Sequence, residues 1–239
     1  MGVVVVAGGR STRMQGADKV FANLGGMPVL AHCLEVFQAS ELVSGVVLVL
    51  AAHNIESGEA MVSGRGLTTV ISVVRGGARR QDSVRIGLEA LIASGRSPGY
   101  VAIHDGPRPF IDEPMLSRGL DAAIRSGVSV PAVPVTDTIK QVDDDGTVTS
   151  TPDRSTLRAV QTPQIFELGV VLEAHRRVQD DVTDDAMMVE RIGRTVSVFE
   201  GSPDNVKITI PGDLEIAERI LAARQHRSAG EKLASGGLR

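Results

Sequence analysis

The sequence contains no tryptophan, one tyrosine and five phenylalanines in 239 residues, which leaves no aromatic platform on which a nucleobase could stack. It has one cysteine, Cys33, so an internal disulfide is excluded. Cys33 lies in an apolar helical stripe and reads as packing, and a reducing cytoplasm is the expected compartment. Basic residues are not in excess: 25 Lys and Arg face 29 Asp and Glu, for a net charge of -4. A general nucleic-acid binder needs a basic surface to displace counterions, so that class is excluded and any bound anion must be met locally. No apolar run approaches the length of a membrane helix. The opening run, residues 2–7, also lacks the charged flank of a signal peptide and reads as a first strand. There is no internal repeat. Two familiar nucleotide motifs are missing as well, GxxxxGK[ST] and GxGxxG, the second because Ser11 stands where a further glycine would be required after Gly9.

What is present is an alternation of short β-branched runs with helix-period stretches. That pattern predicts the α/β class in three layers, a mostly parallel sheet with helices on both faces. Strands are expected at residues 3–7, 46–51, 69–74, 100–104, 128–134, 196–199 and 207–210. Leu30, Cys33, Leu34 and Phe37 recur at helical spacing, as do Val84, Leu88, Leu91 and Ile92. Leu116, Leu120, Ala123 and Ile124 mark another helix, and Ile216, Ala217, Ile220 and Leu221 a last one that Asp213 could cap. One domain is expected over residues 1–224, with a polar, flexible tail at 225–239. Residues 137–161 break the alternation. Asp145 and Gly146 supply a turn between two short Val- and Thr-bearing runs, so a protruding β-hairpin arm is expected there.

Ligands of open α/β sheets sit beyond the carboxyl ends of the strands, which directs attention to three loops. After the first strand comes AGGRSTRM, residues 7–14, followed by Lys19. Adjacent glycines admit close backbone approach, free amides after a strand can form an anion nest, and Arg13 and Lys19 add positive charge. A glycine turn with surface charges is the plainer reading of this stretch taken alone. HDGPRPF, residues 104–110, places Asp105 at a strand end, where a carboxylate can hold Mg²⁺ against phosphate oxygens. By itself His104 reads as a structural histidine. GGARRQDSV, residues 76–84, sits between a strand and a helix, and four arginines fall between positions 75 and 85. This basic patch reads equally as a solvated charge run or as an anion site, and Ser83 as a helix cap or a base contact.

These blocks resemble the 2-C-methyl-D-erythritol 4-phosphate cytidylyltransferase family over residues 3–221. PVTDTIK, LRAVQTPQIF, TDDA and DNVKITIPGDL, at 134–140, 157–166, 183–186 and 204–214, extend the resemblance. It implies a Rossmann-like sheet, a β-arm crossing to the partner of a homodimer, dependence on Mg²⁺ or another divalent cation, and formation of a CDP-alcohol from CTP and a small sugar-alcohol phosphate. It also implies roles. Ala7, Gly8 and Gly9 match backbone contacts to cytidine, and Gly77 and Ser83 match positions near the base. Arg13 and Lys19 match the pair that stabilises the transition state, and Asp105 the metal-side aspartate. Arg154 and Lys207 match the pair that orients the alcohol phosphate, with Arg108, Thr138 and Thr162 around it. Departures from the family pattern are Ser11, Asp18, Ala78, and HDGPRP in place of HDAARP. Gly106 keeps an N–H for a ribose contact, whereas Pro107 has none.

This residue set suits phosphoryl chemistry without a general base. A phosphomonoester is already close to a dianion at neutral pH, so its oxygen needs no activation. What must be overcome is charge repulsion and charge growth at the α-phosphorus, which is work for cations. The alternatives sharing these motifs are a ribitol 5-phosphate cytidylyltransferase and, more remotely, molybdopterin nucleotidyltransferases. A non-catalytic CTP-binding module is the alternative from another class.

Overall fold

The computed structural model describes residues 1–8 and 18–236, with side chains through residue 227. In chain order the elements are β1 (Gly2–Ala7), β2 (Asn23–Leu24), β3 (Met27–Pro28), α1 (Val29–Ala39), β4 (Gly45–Leu50), α2 (Ile55–Gly64), β5 (Val70–Arg75) and α3 (Arg80–Ala93). There follow β6 (Tyr100–Asp105), α4 (Glu113–Ser126), β7 (Val128–Pro134), β8 (Gln141–Val142), β9 (Val148–Ser150), β10 (Arg158–Val160) and β11 (Gln164–Glu167). The chain ends with α5 (Leu168–Arg177), α6 (Asp185–Arg191), β12 (Ser197–Glu200) and α7 (Pro211–Gly236).

β1 is the hub of an eight-stranded sheet because every one of its residues is apolar or glycine and buried, the composition of a strand covered on both faces. It pairs in parallel with β4 and β6, and β4 with β5. Successive side chains of β1 point to opposite faces. Val3 and Val5 join one core cluster with Leu34, Phe37 and Met115; Val4 and Val6 join the other with Leu88, Phe166 and Val171. The second face can close tightly on α3 because residue 87 is glycine: a Cβ there would lie 2.4 Å from Val4 Cγ1. On the far side of β6 the sheet turns antiparallel. Ser129 of β7 pairs with both Ile165 of β11 and Ser197 of β12, and Ala132 with both Val160 of β10 and Glu200 of β12. A residue paired twice has a partner on each edge, so β10 and β11 follow one edge of β7 and β12 follows the other.

The mostly parallel three-layer sheet is as expected, with local differences. Residues 207–210 form no strand, although Ile208, Thr209 and Ile210 have strand composition. The Ile208 amide donates to the Pro107 carbonyl, and the Thr209 and Ile210 amides donate to the Asp213 carboxylate, so no ladder is left for them to make. Asp213 therefore secures α7 by reaching back from its first turn. β11, short and preceded by the cis Thr162–Pro163 bond, is a strand the sequence pattern does not announce. The projecting hairpin is confined to β8 and β9, while β10 rejoins the sheet. The segment expected as a tail from residue 225 is helical through Gly236, and Arg227 pairs with Asp204 at 3.0 Å. Among the described residues no helix is long and apolar enough to cross a membrane.

Candidate active site

Because β1, β4, β5 and β6 run parallel, their carboxyl ends open at one end of the sheet, and the residues that follow all four meet in one pocket of about 730 Å³. β1 supplies Ala7 and Gly8; β4 leads to Ala51, Ala52 and His53; β5 leads to Gly76, Gly77 and the arginines 79 and 80; β6 ends in Asp105. Lys19 and Lys207 complete the wall. Small residues that expose their backbone, and a ring of cations around one carboxylate, make this a cradle for a nucleotide.

Asp105 is the electrostatic centre. Its Oδ2 accepts from Lys207 Nζ at 2.7 Å and its Oδ1 from Arg80 Nε at 3.2 Å, while Arg108 Nε lies 3.9 Å from Oδ2. Burial alone would raise its pKa. The charges of Arg80, Lys207 and Arg108 override this and hold the carboxyl well below the usual range, so it is ionised. The Arg108 Nε is buried without a hydrogen-bond partner, its Nη1 donating to the Asn205 carbonyl at 2.7 Å. Lys207 reaches this point because α7 packs Ile208 into a small third core with Leu24, Val29 and Phe110.

Among the described residues no three His, Cys, Asp or Glu side chains gather as a ligand set. These residues therefore offer no metal cage of their own. A single ionised carboxylate facing an anion pocket does fit Mg²⁺, which characteristically binds through one or two carboxylates, waters and substrate phosphates.

Thr162 and His104 support Asp105 from behind. The backbone N–H of Asp105 donates to Thr162 Oγ1 at 3.0 Å, and His104 Nε2 lies 3.0 Å from the Arg108 carbonyl, which can only accept. His104 is thus protonated on Nε2, and Thr162 donates to its Nδ1 across 3.2 Å. Burial is the main reason its pKa is pushed down to about 4, with the Asp105 charge acting in the opposite direction. The consequence for stability has a definite sign. Below pH 6.5 the unfolded chain takes up a proton that folded His104 refuses, so stability falls as pH drops from 6.5 towards 4. This histidine alone should cost about 2 to 3 kcal/mol between about pH 7 and about pH 4.5. Urea unfolding at those two pH values checks it. His104→Gln, which can keep both hydrogen bonds, should lose clearly less stability over that interval, and equal losses in the two proteins would refute the assignment.

The expected site residues fall in different places. Ala7, Gly8, Lys19, Gly77, Ser83, Asp105 and Lys207 share the pocket. Ser83 stands in the fourth position of α3 rather than at its cap: its hydroxyl accepts from the Gly77 amide at 3.1 Å and donates to the Arg79 carbonyl at 3.2 Å, shaping the glycine turn. The Gly106 amide, expected at a ribose, donates to the Val6 carbonyl at 2.9 Å. Arg108 and Thr162 lie against Asp105 as described. Thr138 and Arg154 are exposed on and beside the arm, where Arg154 Nη1 donates to the Thr136 carbonyl at 2.8 Å. Gly9 and Arg13 lie outside the described residues. Asp185 and His175 were not singled out by the sequence, and Arg80 only as one charge in a patch. Asp185 belongs to the TDDA block, but its ion pair with Arg80 spans 105 positions and follows no spacing rule.

Known proteins resemble this chain in sequence and in fold. A family profile described as IspD, 2-C-methyl-D-erythritol 4-phosphate cytidylyltransferase, matches residues 1–223. An enzyme of that name from Dehalococcoides mccartyi (strain CBDB1) is 45% identical over 221 residues, 92% of this chain and 96% of the relative. A bifunctional IspD/IspF enzyme of Rhodopseudomonas palustris is 44% identical over 92% of this chain and 56% of its own length. Among solved structures, 2-C-methyl-D-erythritol 4-phosphate cytidylyltransferase from Thermus thermophilus superposes with a TM-score of 0.73 at 32% identity, covering 92% and 97% of the two chains. The 4-diphosphocytidyl-2C-methyl-D-erythritol synthase from Anaerococcus prevotii gives 0.79 at 26% identity, again covering 92% and 97%.

Proposed function

Belonging by these matches to the 2-C-methyl-D-erythritol 4-phosphate cytidylyltransferase family, the chain transfers CMP from CTP to that alcohol phosphate and releases pyrophosphate, and we propose that it does so in the strand-end pocket around Asp105. The observation that carries this placement is the ionised carboxylate ringed by Arg80, Lys207 and Arg108, at the mouth of a glycine-lined cradle. The reaction belongs to isoprenoid precursor synthesis.

In this reading the backbone at Ala7, Gly8, Gly9 and Gly77 holds cytidine, with Ser83 fixing the turn against which the base rests. An oxygen of the alcohol phosphate attacks the α-phosphorus, and the bond to the β-phosphate oxygen breaks as pyrophosphate leaves. Lys19 and Arg13 face the charge that grows at the α-phosphorus. Asp105 would hold a Mg²⁺ ion, which would supply charge neutralisation for the triphosphate and the leaving pyrophosphate. Lys207 holds the alcohol phosphate as a point charge and Arg154 by its fork, with Arg108, Thr138 and Thr162 nearby.

Arg154 and Thr138 stand on exposed chain outside the pocket, and β8 and β9 have only two and three residues, all exposed. A hairpin this short is marginal unless another surface covers it, and Val142 and Val148 are each more than half exposed. Both facts support a homodimer in which the arm carries Arg154 into the partner's pocket. Subunit mixing tests the whole arrangement. Arg154→Ala and Lys207→Ala should each be nearly inactive, with KM for the alcohol phosphate raised first. Mixed and allowed to exchange subunits, they should recover about a quarter of wild-type activity, because half the dimers then hold one site with both cations. No recovery despite demonstrated exchange would place Arg154 in its own chain's site.

A further inference from the structure

The pocket includes one cation whose back is fastened to a buried Asp–His pair with no role in the chemistry above. Arg80 stands at the first position of α3, and its guanidinium spans two carboxylates: Nε meets Asp105 Oδ1 at 3.2 Å, and Nη1 meets Asp185 Oδ2 at 2.6 Å. Asp185 is fully buried at the start of α6, and its other oxygen is held by His175 Nε2 at 3.1 Å. The residues beside Arg80 fasten the same two segments together. Arg79 Nη1 donates to the Gln179 carbonyl and to Asp181, and Gln81 Nε2 donates to the Asp180 carbonyl while its Oε1 accepts from the Val182 amide. Consecutive side chains thus latch the start of α3 onto the connection between α5 and α6.

We propose that Arg80 is the positioning residue for Asp105: anchored on the Asp185–His175 pair, it fixes Oδ1 of Asp105 and leaves Oδ2 as the oxygen that faces the incoming nucleotide. The geometry separates the two oxygens. Oδ1 is held by a guanidinium that is itself immobilised from behind, while Oδ2 is held by Lys207, a flexible chain about one third exposed. A fork that must reach two carboxylates at once needs the planar guanidinium, and a lysine ammonium can satisfy one of them at most. Loss of the fork frees Asp105 to rotate, so its carboxylate spends less time aimed at the metal–triphosphate.

This inference rests on Asp105 lying at the triphosphate, and the test separates the two. Equilibrium titration with CTP, with and without Mg²⁺, is carried out on wild type, Arg80→Lys, Asp105→Asn and the double variant. Arg80→Lys should weaken CTP binding roughly tenfold with Mg²⁺ present and less than about twofold in its absence; on the Asp105→Asn background the Mg²⁺-dependent effect should vanish. His175→Gln, which touches neither ligand nor pocket wall, should move affinity in the same Mg²⁺-dependent way by a few fold, so the proposal remains testable if Arg80→Lys folds poorly. Equal weakening with and without Mg²⁺, or losses that add in the double variant, would overturn the positioning role while leaving Asp105 in place. An Asp105→Asn single variant with unaltered Mg²⁺-dependent binding would instead remove the premise.

Discussion

Asp105→Asn is expected to lower kcat/KM for CTP roughly a hundredfold to a thousandfold, the range for losing a preorganised charged contact in a water-poor site. Shape is nearly unchanged by this substitution, so the loss isolates the charge. In the free chain Asp105 compensates Arg80, Lys207 and Arg108. Its removal leaves Arg80 with Asp185, Arg108 with the Asn205 carbonyl, and Lys207 free to turn towards water. The cost in stability should therefore be modest, about 1 to 2 kcal/mol, which for a chain of this size is roughly 2–8 °C in Tm. Steady-state kinetics at saturating Mg²⁺, with a thermal melt as control, checks both halves. Turnover near wild type would take Asp105 out of the mechanism. A melt that collapses would make it a structural residue first.

Asp185→Ala should have the larger effect on folding. Asp185 is fully buried, its charge matched by Arg80 and its other oxygen held by the His175 ring. Burial would raise its pKa, but Arg80 and the hydrogen bond from His175 hold it below the ordinary carboxylate value. Truncation leaves a buried imidazole nitrogen unpaired and a guanidinium half-satisfied, a change that costs about 3 to 5 kcal/mol. The expected result is a melting temperature lower by roughly 6–20 °C, measured by calorimetry at neutral pH. A shift within about 2 °C of wild type would mean that the pair does not hold α3 to α6.

Much of this architecture is legible in the residues. Six apolar or glycine residues in β1 announce a strand covered on both faces, and the strand-end rule leads from there to the loops at Gly8, Gly77 and Asp105 that line the pocket. What escapes is whatever depends on partners distant in sequence. Residues 207–210 read as a strand because Ile208, Thr209 and Ile210 are β-branched, yet Pro107 and Asp213 take up the amides of those three. β11 is four residues long and follows a proline, too short for alternation to register. Ser83 is the residue type that caps a helix or contacts a base, and only the fold shows its hydroxyl engaged by Gly77 and Arg79. Arg80 looks like its neighbour Arg79 in the sequence. They differ in surroundings, since Arg79 pairs at the surface with Asp82 and Asp181 while Arg80 joins the pocket to a buried pair.

The most direct measurement is pyrophosphate release by the purified protein supplied with CTP, Mg²⁺ and either 2-C-methyl-D-erythritol 4-phosphate or ribitol 5-phosphate, with the nucleotide product identified by mass. Release should require both CTP and the methylerythritol phosphate, yield the CDP-alcohol in equal amount, stop on chelation of the metal, and be nearly absent with ribitol 5-phosphate. Faster turnover of ribitol 5-phosphate, or full activity in the presence of a chelator, would contradict the substrate or the metal assignment respectively, and CTP binding without any product would leave only a binding module.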